Sequence, residues 1–198
     1  MDVLNNLEIL NLKERFYLFI HAIGTPRLNL SKGFIDSIQQ LIKKTIPNDY
    51  FSAIDYHLNW LYAATHIDVL KDKYEHDNTK GIIRKNIEDI DLIIAFKENN
   101  KTIIIMIEAK ATGSWTNAQI QSKLKRLDEI FDSETRKFTI PFLILMSPHP
   151  PQNLKSDNAA NWTNAEGKFN WIELQIPQNL KMVSLIDKTG LKWKITNR

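Results

Sequence analysis

The chain has 198 residues, a formal net charge of +3 at pH 7 and no cysteine. That length suits one domain with a sizeable core, and the lack of cysteine excludes disulfides and thiolate metal sites. No apolar run approaches the roughly 20 residues that span a bilayer, and Met1-Asp2-Val3-Leu4-Asn5-Asn6 lacks the basic start and apolar core of a secretion signal. A cytoplasmic protein with no membrane partner is expected, and its mild positive charge permits nucleic-acid binding without requiring it.

The chain opens with helices. Asn11 and Glu14 have the spacing of a capping box, and Leu12, Phe16, Phe19, Ile20 and Ile23 then recur at helical spacing until Gly24-Thr25-Pro26. A second helix is predicted after Ser31, carrying Phe34, Ile35, Ile38, Leu41 and Ile42 and ending before Pro47. A third is predicted from Tyr50 to about His66, with Phe51, Ile54, Leu58 and Leu61 inward. Lys71 to Asn78 reads as a loop, and Gly81 to Lys85 as a short first strand.

The next segment is the most informative. Leu92-Ile93-Ile94-Ala95-Phe96 and Thr102-Ile103-Ile104-Ile105-Met106-Ile107 are short and isoleucine-rich, which favours strands. Between them Asn99-Asn100 suits a tight turn, because Asn tolerates positive φ. With a two-residue turn Glu98 faces Lys101, and counting back along both strands sets Asp91 opposite Glu108 and Asp89 opposite Lys110. Side chains alternate with period two, so these four share one face, with opposed Cβ atoms about 4.5–5.5 Å apart. A four-residue loop over 97–100 would set Asp89 opposite Glu108 instead. Two carboxylates that close call for a cation between them, and oxygen-only ligands suit a hard ion such as Mg²⁺.

After Lys110, Ser114 or Thr116 is placed to cap a helix running to about Phe131, with Ile120, Leu124, Leu127, Ile130 and Phe131 inward. At about 100° per residue, Gln119, Lys123 and Arg126 share one flank, and Gln121 lies on the other. Phe138 to Met146 is almost wholly apolar, as in a strand covered on both faces. Further strands are predicted over Trp171 to Ile176, Met182 to Ile186 and Leu191 to Ile195. The polar stretch from Asn153 to Asn170 reads as a loop. No histidine pair has zinc spacing, and no glycine-rich phosphate loop is present. Of the tryptophans, Trp115 stands nearest the acidic hairpin and is placed to stack on a base.

Asp91, strand, tight turn, strand, Glu108-Ala109-Lys110 and then an amphipathic helix resemble the PD-(D/E)xK nuclease superfamily, the restriction-endonuclease-like fold. The resemblance covers roughly residues 50–146, although Ile90 stands where the family name has Pro. It implies an α/β domain with an αβββαβ core: a mixed central sheet flanked by helices, with an α-helical N-terminal part. One domain over 1–198 follows, with N-terminal helices over 1–49, the nuclease-like core over 50–146 and C-terminal strands and loops over 147–198.

The resemblance also implies a metal-dependent nuclease acting on nucleic acid, with DNA the expected substrate. Asp91 and Glu108 would hold Mg²⁺ (or Mn²⁺), aided by the Ala109 carbonyl. Lys110 would be the catalytic lysine, and Gln119 would reach the site from its helix. Asp55 or Glu14 would be an added acid from a preceding helix, and Lys80, Arg84, Lys85, Lys123 and Arg126 would hold flanking phosphates. A homodimer fits the same picture. Two alternatives stay open: an inactive module of the same fold that binds nucleic acid or a protein, and a surface hairpin whose acids and lysines form ordinary ion pairs.

Overall fold

A computed structural model describes residues 1–71, 75–85, 88–112, 115–152, 154–156, 159–177, 179–187 and 189–197. In chain order come α1 (Val3–Ile9), α2 (Glu14–Ala22), α3 (Lys32–Ile42), β1 (Phe51–His57), α4 (Leu58–His66), β2 (Asp89–Glu98), β3 (Lys101–Ala109), α5 (Asn117–Ile130), β4 (Thr139–Ser147), β5 (Asn170–Glu173), β6 (Lys181–Leu185) and β7 (Trp193–Asn197). The first five strands form one mixed sheet in the order β1-β2-β3-β4-β5. Neighbours are antiparallel from β1 to β3 and parallel from β3 to β5. β6 and β7 form a separate antiparallel hairpin.

Helices cover both faces of the sheet, which explains the near-continuous apolar runs of β2, β3 and β4. On one face Ile93, Ala95, Ile104, Met106, Leu143 and Leu145 pack with Leu7, Phe16, Leu61 and Leu124, from α1, α2, α4 and α5. On the other, Ile94, Phe96, Ile103, Ile105 and Ile144 pack against Ile38, Ile42 and Ile46, in and after α3.

Three sequence expectations change. The segment from Tyr50 to His66 is not one helix: β1 occupies Phe51–His57 and only Leu58–His66 is helical, so Asp55 and His57 lie on a strand. Asp55 has φ 51° and stands outside the pairing between Ile54↔Leu92 and Tyr56↔Ile90. This irregularity breaks the alternation, so that Ala53 and Tyr56 are both in the core although three residues apart. That spacing imitates a helix.

Gly81 to Lys85 is not a strand. Its backbone groups find side-chain partners instead: the Asn78 amide bonds both the N–H and the C=O of Ile83, and the Asn59 amide does the same for Arg84. A further helix, α1, precedes the first one expected, and α2 starts from Lys13 with no side-chain cap. Asn11 therefore does not cap α2, and Leu12, Phe19 and Ile23 are exposed while only Phe16 and Ile20 turn inward.

Other readings hold with shifted ends. Ser31 caps α3 by accepting from the Phe34 N–H, and Thr116 caps α5 by accepting from the Gln119 N–H. Ser114, the other candidate cap, and residues 72–74 of the expected loop lie outside the described residues. The β2–β3 turn has two residues, with Glu98 opposite Lys101 and Leu92 opposite Ile107, and Asn99 takes φ 53°. This is the expected register, but the ladder ends at Leu92↔Ile107, one pair short of Asp91 and Glu108. An Asn99→Val substitution should cost about 1–2 kcal/mol in urea unfolding, because a β-branched residue is forced into left-handed backbone, while Asn99→Gly should be close to neutral.

Candidate functional site

β2 and β3 part company at one end of the hairpin. Their ladder stops at Leu92↔Ile107, whereas β1–β2 pairing continues to His57↔Asp89 and β3–β4 pairing to Ala109↔Met146. The end of β2 therefore stays with β1, and the end of β3 stays with β4. Lys110 extends the second set, its N–H donating to the Met146 carbonyl at 2.8 Å. The acids named from sequence line this fork.

Asp91 spans the gap. Its Oδ2 accepts from the Ala109 N–H at 2.7 Å, so a side chain supplies the bond that the strand backbone no longer makes. Across the fork, Glu108 and Lys110 are two residues apart and both meet α5. Glu108 Oε1 accepts from Lys123 Nζ at 2.7 Å, and Lys110 Nζ donates to Gln119 Oε1 at 3.1 Å. The match is geometric. Two strand residues advance about 6.6 Å and four helical residues about 6 Å, so partners four apart on an antiparallel helix line up with side chains two apart on the strand.

Lys123 also donates to the Asp89 backbone carbonyl at 2.6 Å. Its ammonium thus ties β2 to β3 across their parting. Expected from sequence at a phosphate, Lys123 is instead largely enclosed and ion-paired with Glu108. The same correction applies to Arg126, whereas Arg84 stays exposed. Arg126 is buried at 2% exposure with Nη2 bonded to Asn59 Oδ1, and Arg84 pairs with Glu129 at 2.6 Å. Lys80 and Lys85 remain exposed. Gln121 turns away, to the Lys155 carbonyl.

Asp89 does not meet Lys110. Its Oδ2 accepts from Lys13 Nζ at 2.9 Å, and Lys13 Nζ lies 3.1 Å from His57 Nε2, with the His57 ring stacked on Trp60. Burial lowers the pKa of His57, opposed by Asp89, Glu14 and Asp55 and reinforced by Lys13. His57 Nε2 also lies 3.4 Å from Asp89 Oδ1. That oxygen and Glu88 Oε2 are buried without a hydrogen-bond partner. Asp55 sits nearer to Arg15, 3.6 Å away, and Glu14 opens α2. No residue of the N-terminal helices had been assigned to the acidic hairpin with Lys13's role, and no motif signals it.

Of the acids Glu88, Asp89, Asp91 and Glu108, Lys13 bonds Asp89 and Lys123 bonds Glu108, while Asp91 takes a backbone N–H. The pKa of Glu108 is pushed up to about 7. Burial is the main cause, Asp91 and Glu88 add to it, and Lys123 opposes it. Among the described residues no three Asp, Glu or His side chains are already gathered to hold a metal ion. The donor set at the fork is the two carboxylates of Asp91 and Glu108 with the Ala109 carbonyl beside them. All are oxygen, which suits a hard divalent cation; the unpartnered carboxylate oxygens, Asp89 Oδ1 and Glu88 Oε2, belong to the neighbouring acids.

No protein-family model, curated protein or solved structure matches this chain. No helix among the described residues is long and apolar enough to cross a membrane.

A second feature adjoins the fork. Lys110 Nζ stands 5.5 Å from the centroid of the Trp115 ring, a cation–π distance. The Trp115 Nε1–H donates to Ser147 Oγ at 3.1 Å, the Trp171 Nε1–H donates to the same oxygen at 3.1 Å, and Ser147 donates to the His149 carbonyl at 2.7 Å. One buried hydroxyl therefore uses both lone pairs and its proton, and fixes two indoles.

The raised Glu108 pKa has a sign that can be checked. The folded protein binds this proton more tightly than the unfolded chain, so the contribution favours folding at low pH and is lost as pH rises from about 4.5 to about 7. Thermal unfolding of wild type and Glu108→Gln across that range should show the wild type losing stability relative to the variant as pH rises.

Proposed function

We propose that this protein is a metal-dependent nuclease of the PD-(D/E)xK kind that hydrolyses phosphodiester bonds of nucleic acid, with DNA as the expected substrate. One observation carries the reading. The two-residue turn at Asn99 fixes a ladder that ends at Leu92↔Ile107, so Asp91 and Glu108 are the first residues beyond it on their strands, with Lys110 two residues past Glu108. Support comes from the order of elements, since α3, β1, β2, β3, α5 and β4 follow the αβββαβ pattern once α4 is taken as an insertion between β1 and β2.

In this reading Asp91, Glu108 and the Ala109 carbonyl hold Mg²⁺ or Mn²⁺. The chemistry such an ion supplies when bound is polarisation of the phosphate and a lowered pKa for a bound water. The other parts belong to the chain. Gln119 holds the Lys110 ammonium at the strand end, where it orients the attacking water or offsets negative charge on the phosphate. Lys123 is the cation that balances Glu108 until another takes its place. A cytoplasmic setting belongs to the same proposal, and so does a homodimer. The surface a dimer would draw on is the face of the β6–β7 hairpin where Val183, Leu185, Trp193 and Ile195 are exposed.

A second reading is an inactive domain of this architecture that binds nucleic acid or a protein. The Lys123–Glu108 ion pair at 2.7 Å favours it, since an ammonium already neutralises one of the two acids. Cleavage separates the two. Incubated with plasmid, linear duplex and single-stranded substrates, the wild type should cut with Mg²⁺ or Mn²⁺ and not with EDTA. Lys110→Ala should lose at least about a hundredfold in rate while keeping its fold. Cutting in EDTA that Glu108→Ala lacks, or full activity in Lys110→Ala, would remove this mechanism.

A further inference from the structure

A cavity of about 1030 Å³ opens beside the fork, at the ends of β4 and β5. It lies at the top of the roughly 300–1,000 Å³ range of small-molecule sites, enough for more than one nucleotide unit. Trp115 is its shared wall: the same indole that lies under the Lys110 ammonium also lines the cavity. The proline-rich turn after β4, with His149, and the chain after β5 also line it. Thr112, Gln152 and Gln175 bring hydrogen-bonding groups, and Glu173 is the single formally charged residue in the lining.

This composition is selective. A cavity for a phosphate chain needs cations, and the lining has none, only an acid. A cavity for a planar, uncharged ring with donors and acceptors on its edge needs an aromatic face and carboxamides. The face here is held in place, because Ser147 Oγ fixes the Trp115 ring through Nε1 and is itself saturated by Trp171 and the His149 carbonyl. A base can enter only if it is out of a duplex stack, since a paired base presents just its groove edges.

We propose that this cavity binds an unpaired nucleobase of single-stranded nucleic acid, stacked on Trp115, next to the phosphate at the β2–β3 fork. The proposal takes its substrate class from the nuclease reading. It assigns the division of labour around one indole: phosphate on the lysine side, base on the cavity side.

The test is binding, read apart from cleavage. Labelled strands are titrated by fluorescence anisotropy in EDTA against wild type, Trp115→Ala, Trp115→Phe and the double variant Gln152→Ala/Gln175→Ala. The probes are a short single strand, the same strand annealed to its complement, and the same strand with consecutive abasic positions; DNA and RNA versions run in parallel. The wild type should bind the intact strand about tenfold or more tighter than the abasic strand and the duplex, the scale of one base–aromatic stack. Trp115→Ala should erase that difference, Trp115→Phe should keep most of it, and the exposed glutamine pair should reduce it without touching abasic binding.

Should Trp115→Ala fail to fold, the glutamine variant and the intact-versus-abasic comparison in wild type still decide. Equal binding of intact and abasic strands in both sugar forms overturns the proposal, as does a preference that both Trp115→Ala and the glutamine variant leave intact. Base-dependent binding without metal-dependent cleavage removes the nuclease reading and keeps the cavity. Cleavage with no base dependence does the reverse.

Discussion

The parting of β2 from β3 is the constraint on which the rest of the site depends. Two strands that leave each other expose backbone groups that the ladder no longer serves, and unsatisfied groups near a core are costly. Here side chains take over. Asp91 accepts from the Ala109 N–H, and Lys123 bonds the Asp89 carbonyl. The groups that mend the fork are thus an acid and a cation, and they bring charge to a place that apolar strands alone would have kept dry. Glu108 completes the set at the end of β3, and its raised pKa follows from being enclosed among other acids.

α5 converts that fork into a site. Its apolar stripe, Ile120, Leu124 and Leu127, seats it on the sheet, and its neighbouring flank then brings Gln119 to Lys110 and Lys123 to Glu108. Arg126, on that same flank, is buried and donates to Asn59 of α4. One helix surface therefore serves packing, strand bridging and lysine positioning. The N-terminal region takes part as well, since Lys13, at the start of α2, bonds Asp89 and contacts His57. The acids on β2 are consequently not equivalent: Asp89 is tied to the N-terminal region, and Asp91 faces β3.

The hairpin was legible in the sequence because two isoleucine runs flank Asn99-Asn100, and period two then leaves few registers. The cap of α3, the cap of α5 and the buried strand β4 were legible for similar local reasons. β1 was not. Asp55 departs from the strand at positive φ and resets the alternation, so Phe51, Ile54, Leu58 and Leu61 mimic one helical stripe across a strand and a helix. Gly81 to Lys85 had strand-like residues, but Asn78 and Asn59 took its backbone bonds, a competition between side chain and ladder that composition does not reveal. Gln119 and Lys123 were placed on one flank from spacing alone. What that flank faces depends on the depth at which α5 sits, so Lys123 and Arg126 appeared as surface cations when they are enclosed.

The central claim is that the fork holds a divalent cation between Asp91 and Glu108. The most direct measurement is a crystal structure of the protein with saturating Mn²⁺, located by its anomalous signal. The account predicts a peak within bonding distance of both carboxylates and the Ala109 carbonyl, with Lys123 Nζ displaced from Glu108. A map with no peak at the fork, and Lys123 still bonded to Glu108 and to the Asp89 carbonyl, would contradict it.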